Sequence, residues 1–596
     1  MAMNASKQDE MNVHMSKTQT ILRLFSYLKG YKWQVALVLF AMLITVGISL
    51  INPLLIEAAV DTYLPKNDLN GLLQLGIFSL IINIVFILMV KVRMYVMNYV
   101  SNNILRDIRE ELYEHIQTLS FTFFDGRPTG KILARIIGDI NSLKRVLSNA
   151  VTSLIPGICT IVGVVFIMLG KDVLLGLLCL CTLPFMIGGL FLLNKVTHPM
   201  WQTFRKKASN LNAYVHEDVS GMSVVKSFAA ENETNETFEQ LVEEHKNSFI
   251  KVVRYADLFG PIADVCWGVS SMMLYWGGTK LLGIGSVSVG TLMAFGTYVG
   301  MFWEPVTNIA QFYNQVITNI SAAERVFEVL DTEAEVADRP EAVELPEIDG
   351  RVEFRNVSFT YDEGTSEETK VLEDVSFSVK AGERIALVGP TGAGKTTIVN
   401  LLSRFYDIQQ GQVLIDGMDV RDVTLHSLRK QMGVMTQDNF IFSGTVADNI
   451  RYGKLDATME EIIAAAKAVN AHDFIMGLEN GYDTVMRERG AGLSIGQRQL
   501  IAFARTMVSD PKILILDEAT SSIDTKTELL VQSGIEGLLK GRTSFVIAHR
   551  LSTIQNADRI FVIDQGGIVE SGSPKELMAS KGAYYKLYMA QFGDVA

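Results

Sequence analysis

Long runs of apolar residues in the first half of the chain predict six membrane-spanning helices. A helix needs about 20 apolar residues to cross the hydrocarbon core of a bilayer. Six runs are long enough: 33–56, 72–95, 146–169, 173–196, 255–282 and 287–313. Asp257, Asp264 and Glu304 interrupt the last two runs. Since buried acids are costly in a bilayer, each is expected to face a cavity or a partner, where it could contact substrate, or to lie near a helix end or a helix interface.

The polar positions between these runs predict orientation and two long cytoplasmic connections. Lys and Arg are concentrated before the first run and in the stretches 98–145 and 195–254. Because basic residues stay on the cytoplasmic side, the N-terminus and the second half of the chain are expected inside. Helical periodicity continues from 72 to 119, and breaks are predicted at 121–128 and 229–237. The tips of two helical hairpins would therefore reach a soluble domain.

Beyond residue 330 the pattern changes to short strands and helices. Residues 331–350 are acidic, contain Pro340 and Pro346, and are typical of a linker. Strands are predicted at 351–361, 384–388, 513–516 and 543–547, and a helix at 397–405. The predicted organisation is a flexible tail at 1–20, an all-α polytopic membrane domain with long cytoplasmic helical extensions at 21–330, the linker, and an α/β domain at 351–596.

Composition and charge exclude several classes of protein. The chain has 596 residues, of which 48% are hydrophobic and 20% charged, and its mean hydropathy is +0.24. A disordered chain or a scaffold held by disulfides is excluded, since apolar residues are abundant and only four Cys are present. Residues 1–330 hold 26 Lys and Arg against 25 Asp and Glu, so most of the net charge of −12 belongs to the second half. Such acidity disfavours a nucleic-acid partner.

The strand at 384–388 leads into a sequence that fits the P-loop pattern GxxxxGK[ST]. The matching residues are Gly389, Pro390, Thr391, Gly392, Ala393, Gly394, Lys395 and Thr396, and a helix follows from Thr397. Glycines let backbone N–H groups surround phosphates, and the start of the helix adds a favourable dipole. Lys395 is expected to reach the β- and γ-phosphates of ATP, and Thr396 to hold Mg²⁺.

Two further strands end in residues suited to nucleotide chemistry. The strand at 513–516 is followed by Asp517, a candidate Mg²⁺ ligand, and by Glu518, which would polarise the attacking water. The strand at 543–547 leads to His549, which either has a structural role or, at the end of a core strand near the phosphates, hydrogen-bonds the γ-phosphate. These residues predict ATP hydrolysis with Mg²⁺ as cofactor.

The segment 492–500, GLSIGQRQL, closely resembles the LSGGQ signature of ABC proteins. With the P-loop, the acids after the strand, the terminal His and six spans, the chain resembles an exporter-type ABC half-transporter. That resemblance implies two paired chains, in which Ser494, Gly496 and Gln497 of one signature meet the nucleotide bound to the other chain. It also implies that Tyr361 stacks on adenine, Gln437 senses Mg²⁺, Glu518 is the catalytic base, residues 521–524 form the D-loop, and the two breaks are coupling helices.

Two departures from the family pattern bear on the partner. Ile495 stands where the first signature glycine is usual, and Met486 and Arg487 replace a common Val-Gly pair. Similar departures occur in heterodimeric exporters, which favours a heterodimer with a second half-transporter; harmless variation in a homodimer is the alternative.

The resemblance implies multidrug-type export of hydrophobic or amphipathic compounds across the cell membrane. A lipid or peptide exporter of the same fold, or an ATP-gated membrane regulator, is the alternative function. The bilayer and a small amphipathic substrate are the other expected partners.

Overall fold

The computed structural model describes residues 16–592 apart from 126, 282–286, 362–369, 437–438, 518–524 and 548–553. The chain divides into two compact units. The helical unit holds residues 16–114 and 130–331, and the α/β unit holds 115–129 and 332–592. The first predicted cytoplasmic break therefore packs with the α/β unit, although it lies between two membrane helices in the sequence.

The helical unit is built from long helices joined by short turns. Its α-helices are Lys17–Ser26, Lys32–Ala58, Leu69–Thr118, Thr129–Ala134, Ile140–Asn149, Ile155–Lys171, Val173–Leu180, Leu183–Ser220, Met222–Ser227, Glu231–Ala256, Phe259–Trp276, Val289–Met301 and Trp303–Leu330. A 3₁₀ turn at Tyr27–Tyr31 and π turns at Ala59–Tyr63, Arg135–Asp139, Ala150–Leu154 and Gly277–Leu281 connect several of them.

Five helical stretches among the described residues, two of them interrupted by a short turn, are long and apolar enough to cross a membrane. They are Thr18–Tyr63, Leu69–Thr118, Thr129–Lys171, Val173–Ser220 and Glu231–Lys280. Each contains one predicted span, except that the last two residues of the fifth predicted span, 281–282, lie beyond Lys280. The sixth predicted span, 287–313, is divided between Val289–Met301 and Trp303–Leu330, which meet at Phe302. The first of these is short and the second grows polar toward Leu330.

The two hairpins differ from prediction in one respect. Helix Leu69–Thr118 confirms the continuous helix expected from 72 to 119. The second break was predicted at 229–237, but helix Glu231–Ala256 already covers most of that segment. The chain instead turns at Gly221, forms the short helix Met222–Ser227 and turns again before Glu231, where Ala229 has a left-handed φ of 51°.

Polar side chains join three helix ends of the helical unit; we call this group the polar clasp. It consists of Glu57, Asp61, Lys171, Ser288, Gly290 and Thr291. Glu57 accepts hydrogen bonds from Lys171 at 2.5 Å and from the Thr291 hydroxyl at 2.9 Å. Asp61 accepts from the backbone N–H of Gly290 at 2.8 Å and from the Ser288 hydroxyl. The clasp therefore ties the end of the first span to the end of the third span and to the start of Val289–Met301.

The α/β unit contains twelve strands among its described residues. They are β1 Val352–Phe359, β2 Leu372–Val379, β3 Arg384–Val388, β4 Gln410–Ile415, β5 Met418–Asp419, β6 Met432–Met435, β7 Gly444–Thr445, β8 Val485–Met486, β9 Ile513–Asp517, β10 Thr543–Ile547, β11 Arg559–Asp564 and β12 Gly567–Gly572. The four predicted strands correspond to β1, β3, β9 and β10. The helices are Phe121–Asp125, Lys395–Leu402, Leu425–Lys430, Val446–Arg451, Met459–Ala468, His472–Met476, Ile495–Val508, Thr525–Leu539, Pro574–Ser580 and Ala583–Phe592.

Two sheets form the core of this unit. One has the antiparallel order β2-β1-β4-β5, and the other has the order β12-β11-β3-β10-β9-β6. A large apolar cluster fills the space between the sheets, and a second cluster packs helices Val446–Arg451, Met459–Ala468 and Ile495–Val508 against the far face of the second sheet. The P-loop helix was predicted at 397–405, but it runs from Lys395 to Leu402 and ends because Arg404 has a left-handed φ of 49°.

Candidate functional site

The carboxyl ends of parallel strands bring the predicted nucleotide residues to one edge of the six-stranded sheet. Strand β10 pairs in parallel with β3 on one side and β9 on the other, and β9 pairs in parallel with β6. The register places Leu387 of β3, Ile547 of β10 and Asp517 of β9 level with each other. The P-loop follows β3 at this edge, where open α/β sheets bind ligands.

The glycines of the P-loop allow its backbone to turn sharply and to pack closely against neighbouring strands. Gly392 and Gly394 have φ of +84° and +105°, which other residues rarely adopt. A Cβ on Gly394 would lie 2.8 Å from Leu372 Cδ2, and one on Gly389 only 2.1 Å from the carbonyl oxygen of Ile563. Both positions therefore require glycine, and the loop leads directly into the helix that starts at Lys395.

Lys395 lies at the centre of this loop. Its ammonium donates to the carbonyl oxygens of Gly389 and Pro390, both at 2.8 Å, and the residue is only 9% exposed. Burial lowers the pKa of Lys395, and the nearby carboxylate of Asp517 opposes that shift. The lysine charge is thus fixed over the loop where the phosphate oxygens of a nucleotide would lie.

Oxygen donors suited to Mg²⁺ lie beside the P-loop. Asp517 ends β9 close enough to Lys395 to influence its charge, and Thr396 stands exposed in the first turn of the helix. No group of three His, Cys, Asp or Glu able to hold a metal occurs among the described residues. Mg²⁺ in nucleotide sites commonly uses one or two protein oxygens and completes its shell with phosphates and water, so this donor set fits the ion.

Tyr361 lies beside the P-loop helix. Its hydroxyl is 3.1 Å from the Thr397 hydroxyl, and its ring is 39% exposed. The edges of Phe359 and Tyr406 support it, with ring centroids at 4.8 and 5.0 Å and nearly perpendicular planes. A partly exposed aromatic ring held in this way can stack on a base.

The signature segment forms an exposed helix start. Ser494 caps helix Ile495–Val508: its side chain accepts from the backbone N–H of Gln497, whose side chain accepts in return from the N–H of Ser494. Gly496 is buried, whereas Ser494 is exposed and Ile495 is 42% exposed. Free N–H groups and the helix dipole suit this surface to an anion.

Several predicted site residues fall outside the described part of the chain. They are Gln437, Glu518, His549 and the D-loop at 521–524. Their roles as Mg²⁺ sensor, catalytic base and γ-phosphate contact therefore stay predictions.

Sequence reasoning missed a group of aromatic contacts beside this site. Phe121 of helix Phe121–Asp125 packs on Phe405 with ring centroids 4.4 Å apart, and the Tyr406 hydroxyl donates a hydrogen bond to Asp125. The Arg429 guanidinium also lies over Phe405, with its central carbon 5.3 Å from the ring centroid. The FTFFD segment in the break and the FY pair after the P-loop helix were the available signal, but nothing in the sequence pairs them.

Comparison with known proteins agrees with this architecture. The family described as "ABC transporter transmembrane region" matches residues 17–306, and the family described as "ABC transporter" matches 372–521. The chain is 42% identical over 499 residues to the ATP-dependent lipid A-core flippase of Syntrophus aciditrophicus, a match covering 84% of this chain and 82% of the flippase. It is 36% identical over 582 residues, 96% of this chain and all of the other, to a Staphylococcus aureus protein provisionally named as a multidrug export ATP-binding/permease protein.

A solved structure of a bacterial Atm1-family ABC exporter with ATP bound is also similar. The TM-score is 0.79 and the identity 29%, with 95% of this chain and 99% of the other covered. The fold and the site define a transporter with a helical membrane domain and an α/β ATPase domain on one polypeptide. The chain belongs to the ABC transporter family and is an ABC exporter.

Proposed function

We propose that this chain is one half of a dimeric exporter that couples ATP hydrolysis to export of hydrophobic or amphipathic compounds across the cell membrane. The arrangement of Lys395, Thr396 and Asp517 at one sheet edge is the observation that carries this proposal, because it is suited to a nucleoside triphosphate with Mg²⁺. Basic residues in the long connections favour a cytoplasmic α/β unit and N-terminus.

The proposed chemistry assigns a role to each residue. Lys395 and the P-loop N–H groups hold the phosphates, Tyr361 stacks on adenine, and Thr396 and Asp517, with Gln437, would hold Mg²⁺. When bound, Mg²⁺ neutralises charge on the phosphate oxygens. Glu518 takes the proton of the attacking water, and His549 donates to the γ-phosphate.

Pairing with a second chain follows from surfaces that one chain leaves exposed. The signature helix start at Ser494 is open to solvent, and in the dimer it would contact ATP held by the other P-loop. The second coupling segment, 221–230, exposes Val224 by 58% and Phe228 by 80%. Single exposed apolar residues are common, but a phenylalanine at the tip of a long hairpin is suited to an apolar site on the partner.

A heterodimer is the favoured form of this dimer. The exposed Ile495 side chain would lie next to the nucleotide of the partner, where the family usually has glycine. If the chain needs a different partner, ATPase activity of the purified chain alone should be low and should rise when the second half-transporter is added. Full activity of the chain alone would support the homodimer.

The substrate class rests on the helical unit. Asp264 lies inside helix Phe259–Trp276, exposed and with no ion-pair partner among the described residues, and exposed Met272 lies two turns further along. An exposed acid in a span is best placed toward a cavity, and with soft apolar neighbours it favours a cationic amphipath. Asp257 and Glu304 lie at helix ends, which favours a structural position for them over contact with substrate. The name of the lipid A-core flippase supports lipid export as the second candidate.

Transport in inverted membrane vesicles tests this proposal. ATP should drive accumulation of a fluorescent cationic amphipath against its gradient, and Glu518→Gln should abolish accumulation while ATP binding remains. Asp264→Asn should lower accumulation of the cation with little effect on a neutral amphipath of similar size. Movement that only equalises the concentrations would indicate a gated pore, and accumulation of a lipid but of no amphipathic drug would favour the second candidate.

A further inference from the structure

Tyr406 contacts both the proposed adenine site and helix Phe121–Asp125, the first coupling segment. It follows the P-loop helix and is 7% exposed. Its ring meets Tyr361 at 5.0 Å between centroids and 87° between planes, and Phe359 at 5.9 Å and 62°. Edge-to-face contacts of this kind prefer a defined geometry, so a displacement of Tyr361 changes the position preferred by Tyr406.

The opposite end of Tyr406 is bonded to helix Phe121–Asp125. Its hydroxyl donates to Asp125 Oδ2, and Phe121, one turn earlier on the same helix, packs on the neighbouring Phe405. Burial, and then the bond to Asp125, raise the pKa of Tyr406, so the hydroxyl keeps its proton and remains the donor. Two adjacent aromatic residues therefore hold both ends of this short helix.

Tyr361 is in turn connected to the phosphate-binding loop. Its hydroxyl is within 3.1 Å of the hydroxyl of Thr397, which is buried in the helix that begins at Lys395. Contacts thus run without a gap from Thr397 through Tyr361 and Tyr406 to Asp125. All four residues belong to the α/β unit.

We propose that Tyr406 is a positioning residue that transmits occupancy of the adenine site from Tyr361 to Asp125 on the first coupling segment. The inference rests on the proposed function, in which Tyr361 stacks on adenine. It adds that the membrane helices respond to the base of the nucleotide through their own chain, besides any response to the γ-phosphate. A bound base restricts Tyr361, and the perpendicular contact with Tyr406 and the directional bond to Asp125 carry that restriction to the helix.

Hydrogen–deuterium exchange of the peptide 119–129 tests this relay in the full-length chain. Glu518→Gln is used as the background, so that ATP stays bound. ATP should slow exchange of this peptide, and ribose 5′-triphosphate, which lacks the base, should slow it much less. Adding Tyr406→Phe, which keeps the ring and removes the hydroxyl, should reduce the effect of ATP about fivefold. Asp125→Ala should reduce it equally, and the double variant should lose no more than either single one.

Tyr482→Phe is the matched control. Tyr482 is also buried in the α/β unit, and its hydroxyl lies 3.0 Å from His472 Nδ1, so the substitution removes a comparable bond away from the relay. This variant should keep the full ATP effect on peptide 119–129. Asp125→Ala in the wild-type background should keep basal ATPase activity and lose about fivefold of its stimulation by substrate, and Asp125→Asn, which still accepts a hydrogen bond, should recover part of it.

Outcomes separate the relay from the proposed function. Equal protection of peptide 119–129 by ATP with and without the Tyr406 hydroxyl would overturn the relay, and so would equal protection by ATP and ribose 5′-triphosphate. Absence of ATP binding in the parent chain would instead overturn the proposed function.

Discussion

The two proposed coupling segments of this chain differ in what surrounds them. The first, Phe121–Asp125, belongs to the α/β unit, where Phe405 and Tyr406 contact it. The second, Met222–Ser227 with its flanking turns, belongs to the helical unit and leaves Phe228 80% exposed. One connection is therefore completed within the chain, whereas the other exposes an aromatic tip that a partner would cover.

This difference suggests how the membrane domains of both chains in the proposed dimer could respond to one bound nucleotide. The first segment is bonded to residues next to the proposed adenine site of its own chain. The second, in the proposed dimer, would report on the partner. Each membrane domain would thus receive one signal from its own ATPase domain and one from the other chain, and the following variants separate the two.

The largest effect is expected when ATP hydrolysis itself is blocked, since both segments are proposed to respond to the nucleotide. Glu518→Gln should lower steady-state ATPase activity by about 100-fold or more, because general-base catalysis contributes on that order. ATP binding should remain, which a fluorescent nucleotide would measure. Glu479→Gln, an exposed acid elsewhere in the α/β unit, should keep normal turnover. Near-normal ATPase activity of Glu518→Gln would refute the assignment of the base.

Removal of the exposed tip should affect coupling without affecting folding. Phe228→Ala should lower substrate-stimulated ATPase activity about tenfold, as expected for loss of one anchor residue in an interface. Its melting temperature should be unchanged, since the ring is exposed in one chain. Leu455→Ala, a 78% exposed apolar residue of the α/β unit, is the control and should keep stimulation. Normal stimulation of Phe228→Ala would show that the second segment does not need its ring.

Truncation of Phe121 in the first coupling segment should lower the stability of the α/β unit. Phe121→Ala removes a half-exposed ring from Phe405, at a cost of about 1–2 kcal/mol, less than for a fully buried phenylalanine. Calorimetry should show a melting temperature lowered by about 2–6 °C. Phe121→Leu should recover most of that stability. If both variants melt like the wild type, the contact with Phe405 does not stabilise the α/β unit.

The smallest effect is expected at the polar clasp of the helical unit. Lys171→Met removes one partner of Glu57. Because partly exposed ion pairs stabilise little, the ratio between forms with these helix ends together and forms with them apart should change only about two- to threefold. Spin labels on the adjoining helix ends would measure that ratio with and without ATP. Lys66→Met, a neighbouring lysine outside the clasp, should leave the ratio unchanged. An unchanged ratio in Lys171→Met would mean that the clasp does not hold the helices together.

Local patterns predicted much of the fold. Hydropathy alone located five of the six spans within long helices, and the glycine spacing of the P-loop located the loop at the end of β3. Those features depend on neighbours in sequence. The second break lies earlier than predicted because Glu231–Ala256 forms a helix, with Glu231 and Glu233 in its first turn, where the dipole favours acids.

Long-range partners could not be predicted from one sequence. Tyr406 and Asp125 are 281 positions apart, and the contacts of Glu57 with Lys171 and Thr291 span 114 and 234 positions. Period and spacing carry no information on which distant loops meet. The capping of Ser494 by Gln497 is local, yet whether Ile495 crowds a nucleotide depends on a second chain.

The 50-residue helix Leu69–Thr118 has a mechanical consequence. At 1.5 Å per residue it is about 75 Å long, more than twice the thickness of a hydrocarbon core. Met97, Val100, Ile104, Ile108 and Leu112 are buried along one stripe of its second half, so packing stiffens that part. Such a rod acts as a lever: a tilt of about 5° around its middle moves each end by about 3 Å in opposite directions. A displacement no larger than one side-chain contact at the first coupling segment would thus be delivered undiminished to the far side of the bilayer.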